Sequence, residues 1–325
     1  MKSLSKQRIV HLTKQAVIVF LFFLFWTLGL SPSQGSAKSL EALQVDITRY
    51  NLQWIARETA LSHLSSEEKQ RRAGGLKTPP DRINPEQIWQ KPERDRAIGG
   101  YPLSYNLWDS GMITPVRDQE SCGSCWAFAA VANLESLLLQ AGQGGQDLSE
   151  QVVLNCSAGT CSGWYLDYTF TFLQSSGTTL ESTFPYQGSK QTCQPYTATA
   201  NIAQWQWINP TGIASDYYDD LIKTFIYTYG KPVSTRMEVY DSFYSYTSGI
   251  YEHIAGEYNW GGHFVLIIGW GNQDGVNYWI CKNSWGTYWG QSGLFYIKAQ
   301  DSAIGTYAIG ASVAVSSPSY LLWTK

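Results

Sequence analysis

Basic residues are few and scattered: 23 Lys and Arg stand against 26 Asp and Glu, and no basic block follows the first residues. The 14 Trp and 21 Tyr are spread along the chain rather than interleaved with Lys and Arg, so a nucleic-acid partner is not expected. Histidine is scarcer still, with four in 325 residues, so any catalytic imbuing of an imidazole can be traced by elimination. Cysteine is missing from the first 121 residues. A membrane-spanning run is lacking too: the apolar stretch from Ala16 to Leu30 has 15 residues, short of the roughly 20 that cross a bilayer. No stable membrane association is expected.

What is present falls into three parts. Lys2, Lys6, Arg8 and Lys14 precede the apolar run, and Gly35-Ser-Ala37 follows it. That order reads as a secretory signal peptide over residues 1–37, with an uncleaved anchor as the competing reading. Export implies a compartment that is secreted or extracytoplasmic, lysosome-like or vacuole-like in a eukaryote, where disulfides persist. Residues 38–98 are rich in charge and free of Cys, and read as a detachable leader. Within it Leu40, Leu43, Val45, Ile47 and Leu52 give an imperfect helical stripe, and Ser65-Ser-Glu-Glu68 has the form of a second helix start. A surface helical hairpin of the main domain is the plainer alternative. The composition changes near residues 95–101, and residues 99–325 form the expected main domain.

All six cysteines lie in that domain: Cys122, Cys125, Cys156, Cys161, Cys193 and Cys281. Cys125 opens an almost wholly apolar segment from Trp126 to Leu139, long enough to be a buried helix. A thiol at a helix N-terminus meets the equivalent of roughly half a positive charge, which favours thiolate and makes it a candidate nucleophile. Cys281, in the strand-like Tyr278-Trp-Ile-Cys281, reads as a buried inert thiol. If two cysteines stay free, the other four allow three connectivities, and spacing does not choose among them. A bridge between Cys122 and Cys161 would contribute roughly 4 kcal/mol by chain entropy.

The base follows by elimination. His11 and His63 lie in segments expected to be removed, and His253 reads as a surface loop residue. His263 follows Gly261-Gly262 and opens the buried-strand pattern Phe264-Val-Leu-Ile-Ile268, where a core strand has no need of an imidazole. A Cys–His pair works because imidazole takes the thiol proton and later returns it to a leaving amine. Asn283, in Lys282-Asn-Ser-Trp-Gly286, is placed to accept the ring N–H and fix its tautomer, with Trp285 as an apolar cover. Gln119 could donate its amide to a developing oxyanion beside the Cys125 N–H.

Gln119, Cys122-Gly-Ser-Cys-Trp126, Leu148-Ser-Glu-Gln151, Cys156, Cys161, His263 and Lys282-Asn-Ser-Trp-Gly286 occur in an order that resembles the papain-like cysteine proteases. His263 and Asn283 lie 138 and 158 residues after Cys125; the spacing given for this family is roughly 130–150, and the second value runs slightly beyond it. The resemblance covers about residues 101–311. It implies an α+β fold of two lobes: a helical left lobe, about residues 109–208, and a barrel-like β right lobe, about residues 209–325, with the active site in the cleft between. It implies Cys125 as nucleophile, His263 as its partner, Asn283 as orienter, and Gln119 with the Cys125 N–H as oxyanion hole. It further implies Cys122–Cys161 and Cys156–Cys193 bridges, substrate contacts from Gly163, Trp164, Tyr165, Gly262 and Trp285, and an inhibitory propeptide. The activity implied is that of a secreted endopeptidase, a monomer made as a zymogen, acting on peptide or protein substrates through a thioester acyl-enzyme, with no metal or organic cofactor.

Some positions depart from the family pattern. Glu120 replaces a glycine after the oxyanion Gln, and Trp164 replaces a second glycine that pairs with substrate backbone. A ring at 164 either fills the cleft or packs away from it. Gly262 and Phe264 also differ beside His263, and the leader is short. Other classes fit less of the chain: a thioredoxin-like Cys122–Cys125 redox pair, or a four-cysteine zinc site including Cys156 and Cys161. An inactive homologue serving as a binding module would normally lack the nucleophile or base, and a transpeptidase or ligase would share the same acyl-enzyme.

Overall fold

The computed structural model describes residues 38–96 and 100–314. The signal-peptide segment 1–37 and residues 97–99, at the expected domain boundary, lie outside the described residues. The helices of seven or more residues are α1 Leu40–Arg49, α2 Ser66–Arg72, α3 Cys125–Gln140, α4 Glu150–Cys156, α5 Leu166–Ser175 and α6 Asp216–Tyr229. The strands are β1 Trp54–Ala56, β2 Tyr105–Asn106, β3 Gln204–Asn209, β4 Val233–Tyr240, β5 Tyr246–Tyr251, β6 Asn259–Gln273, β7 Val276–Lys282, β8 Leu294–Lys298 and β9 Thr306–Ser312.

Two apolar cores make the two lobes. In one, α3 contributes Trp126, Val131, Leu134 and Leu137, α4 contributes Val153 and Leu154, and α5 contributes Phe170 and Leu173. Helix α3 is apolar almost all round, as a helix must be when it is buried on every side. The other core lies on the sheet and holds Phe243, Tyr244, Trp285, Trp289 and Phe295. Ile309 and Ala311 of β9 pack with the helical core, while Ala308 packs with the sheet core, so one strand serves both. The sheet runs β1-β5-β8-β7-β6-β4-β9-β3, with β2 on β6. All pairs are antiparallel except β5 with β8. This is the expected α+β fold of two lobes, but the sheet is an open path and does not close into a barrel. Both bridges implied by the resemblance are formed, Cys122–Cys161 and Cys156–Cys193, while Cys125 and Cys281 are free and buried.

The N-terminal segment is laid over this body. Helix α1 buries Leu43 but leaves Val45 exposed, so the apolar stripe is narrower than its sequence pattern predicts. Strand β1 adds to the sheet edge at β5, burying Trp54 and Ala56. The Ser65 start is a capping box: Ser65 Oγ accepts from the Glu68 N–H and Glu68 Oε2 accepts from the Ser65 N–H at 2.8 Å. Helix α2 ends at Arg72, and the chain then runs extended between the lobes.

Candidate active site

Cys125 is the first residue of α3, at the helix start where its sequence context predicts it, and it is fully buried. Burial pushes its thiol up to about 11, opposed by hydrogen bonding from backbone groups of Phe264, Gly74 and Trp126. Desolvation, the largest of these causes, disfavours the thiolate in this buried position.

The candidate base, His263, comes from the other lobe. The ladder reaches back to Asn259, so His263 sits inside β6, opposite Met237 of β4, rather than at the strand's entrance. Pairing of β6 with β7 sets Leu266 opposite Lys282, and Asn283 follows directly beside His263. The His263 Nε2–H donates to Asn283 Oδ1 at 2.7 Å, which leaves Nδ1 as the ring's lone-pair nitrogen. Nδ1 is buried and has no hydrogen-bond partner among the described residues. Burial lowers the ring to about 4, against the favourable hydrogen bond that it donates to Asn283 Oδ1, so burial disfavours the charged ring as well. Trp285 lies 5.0 Å from the His263 ring and stacks on Tyr244 at 4.9 Å, covering the pair as expected.

Gln119 is pinned on both sides of its amide. Ser284 Oγ donates to Oε1 at 2.7 Å, and Nε2 donates to the Cys122 carbonyl at 2.8 Å and to the Arg72 carbonyl at 3.2 Å. Ser284 also donates its N–H to Asn283 Oδ1 at 2.8 Å, so one residue steadies both amides. Tyr186 Oη donates to the Gln119 carbonyl at 2.9 Å and lies 2.7 Å from Ser124 Oγ. Sequence reasoning missed Ser284 and Tyr186. The first was visible only as part of Asn-Ser-Trp-Gly, and the second carried no local signal.

The N-terminal segment occupies the cleft. The Trp164 N–H donates to the Gly74 carbonyl at 3.0 Å, and the Leu76 N–H donates to the Trp164 carbonyl at 3.1 Å. The Gly75 N–H donates to the Gly262 carbonyl at 2.9 Å, and Arg236 Nε donates to the Gly75 carbonyl at 2.9 Å. A Cβ on Gly74 would stand 2.0 Å from the Gly123 carbonyl oxygen, so only glycine passes there. A Cβ on Gly163, at φ +108°, would likewise stand 2.5 Å from the Gly74 carbonyl oxygen. The Trp164 ring turns to Trp126 at 5.2 Å, edge to face, while its backbone stays free to pair. Tyr165 stacks on the guanidinium of Arg82 at 4.0 Å.

Glu120 adopts the left-handed conformation, φ +53°, which the family's glycine would take without strain, and its N–H is capped by Asp118 Oδ1 at 2.8 Å. His253 lies elsewhere, half-buried, with Nδ1 3.1 Å from Asp301 Oδ2 and its ring stacked on Tyr240 at 4.3 Å. With Cys122 bridged to Cys161, no Cys122–Cys125 redox pair exists. The four sulfurs of the zinc alternative are spent on two bridges.

Comparison with known proteins gives the family and the fold. A family model described as "Papain family cysteine protease" matches residues 101–316. The chain is 33% identical over 211 residues to thiol protease aleurain of Arabidopsis thaliana, covering 63% of this chain and 58% of that protein. It is 32% identical over 277 residues to cathepsin K of Mus musculus, covering 83% and 79%. The solved structure of procathepsin L2 from Tenebrio molitor larval midgut aligns with a TM-score of 0.71 at 26% identity, over 84% of this chain and 89% of that one.

Proposed function

The chain belongs to the papain family of cysteine proteases, and on that premise we propose that it is an exported cysteine endopeptidase made as a zymogen. The observation that carries this reading is that Gln119 Nε2 already holds a carbonyl, that of Arg72, beside the start of α3 and the His263–Asn283 pair. A substrate carbonyl in that place is attacked by Cys125 Sγ. The thiol proton passes to His263 Nδ1, a carbon–sulfur bond forms, and the oxyanion is held by Gln119 Nε2 and the Cys125 N–H. The imidazolium, kept in register by Asn283, gives its proton to the departing amine. Water, deprotonated by His263, then cleaves the thioester and frees the thiol.

Residues 38–98 serve as the propeptide. Arg72 and Gly74–Leu76 lie where substrate must lie, and by excluding water they favour the neutral thiol and imidazole, so latency is electrostatic as well as steric. The peptidase domain then comprises residues 99–325, and residues 1–37 direct export.

The test is intact-mass labelling with an epoxide thiol inactivator before and after removal of residues 38–98, beside a Cys125→Ala control. One adduct on Cys125, formed only in the processed protein and accompanied by loss of peptide cleavage, is expected. No adduct in folded, processed protein would replace this reading with that of an inactive homologue.

A further inference from the structure

Between the two stretches that anchor the cleft-spanning segment, one leader side chain is bound in a way that backbone inhibition does not require. Arg72 places its carbonyl on Gln119 Nε2 and its guanidinium Nη1 3.1 Å from Asp118 Oδ1. The Arg72 side chain is almost wholly buried there, and Asp118 Oδ2 also accepts from the Tyr288 hydroxyl. No cation of residues 100–314 pairs with Asp118 among the described residues; the adjacent Arg117 reaches instead to Asp147. Once the leader departs, Asp118 is a carboxylate with no counterion, one residue from the oxyanion donor. The surrounding body is acidic as well: residues 101–325 carry 8 Lys and Arg against 17 Asp and Glu.

We propose that Asp118, with Tyr288, forms a subsite that selects a basic side chain, Arg above all, directly next to the scissile bond. This rests on the protease reading and names the substrate class for it: basic peptides. Arg matches a carboxylate through charge-assisted hydrogen bonds that a neutral side chain of similar length lacks. Polarity decides which side of the bond is meant. Gly74 and Leu76 pair with Trp164, where the family pattern puts the substrate backbone that precedes the bond, so Arg72, earlier in the leader and beside Gln119, takes the side that follows the bond.

The experiment uses the processed protein and internally quenched peptides that vary only at the residue after a mapped cleavage site, as Arg, Gln or Glu. Arg is expected to exceed Gln by about tenfold in kcat/KM, with Glu lower still. Asp118→Asn keeps the acceptor for the Glu120 N–H and removes the charge, and it should bring Arg and Gln to near parity. Parity in the unaltered protein, a preference that survives Asp118→Asn, or a preference only before the bond would each overturn the proposal. A second measurement needs no catalysis: calorimetric binding of a peptide of residues 66–78 to processed Cys125→Ala protein. Arg72→Gln in the peptide should weaken binding about tenfold, and Asp118→Asn should abolish that difference. If the binding difference holds while no peptide is cut, the protease reading fails and the subsite stands; equal binding of the two peptides overturns the subsite.

Discussion

The two lobes hold their halves of the site by different means. The helical lobe fixes Cys125 covalently and locally: it opens α3, three residues from a bridged Cys122, and the second bridge ties α4 to residue 193. The sheet lobe holds His263 and Asn283 by ladder register and aromatic packing, with Trp285 clamped between His263 and Tyr244, and its lone Cys281 stays a thiol pushed well up by burial. The proposed nucleophile, Cys125, is thus held beside a cross-link, and the proposed base and its orienter are held by the register of β6 with β7.

The largest effect that tests this division is on chemistry. His263→Ala should lower kcat/KM of processed protein by roughly three orders of magnitude, whereas His253→Ala should leave it nearly unchanged; the reverse result would mean that the base is elsewhere. Gln119→Ala should cost about a hundredfold in kcat, as loss of one oxyanion donor does, and Ser284→Ala a smaller factor in the same direction because the amide loses its anchor. Equal losses from both would show that Ser284 acts on more than Gln119.

Stability should separate the lobes next. Replacing Cys156 and Cys193 together by Ala should cost about 3 kcal/mol in denaturant unfolding, while Cys281→Ala, a small buried change, should cost about 1 kcal/mol. Equal losses would erase the contrast between a stapled lobe and a packed one.

Acid should act on the leader through the sheet lobe. His263 is held at about 4 under the leader, below its ordinary 6.5, so the closed form binds fewer protons than the open form between those values. The leader's hold is then complete above about pH 6.5 and is lost as pH falls toward 4. Release of residues 38–98 from Cys125→Ala protein, cut at the boundary and followed by size-exclusion chromatography, should rise over that window. The rise should flatten in the additional His263→Gln variant.

Much of the site was legible because its signals are local. A Cys at the head of an apolar helix, an imidazole in a strand that does not need one, and Asn-Ser-Trp-Gly after the next strand can each be read within ten residues. The helix start at Ser65 was equally plain. Val45 misled because a stripe shows which residues could be buried, while the width of the partner surface decides which are. The outline of the sheet was less legible: whether it closes depends on whether β1 and β3 at its two edges meet, and the path is open.

The sequence alone determined the chemical inventory: a nucleophile, one eligible base, two amides, and six cysteines. Tertiary structure decided what those groups are at a given moment. How strongly burial disfavours charge on Cys125 and His263 is set by what packs around them, and Arg72 meets Asp118 only because 46 residues of chain return to the same cleft. Desolvation and ion pairing depend on distance in space, and that distance is set only when the lobes and the leader have packed.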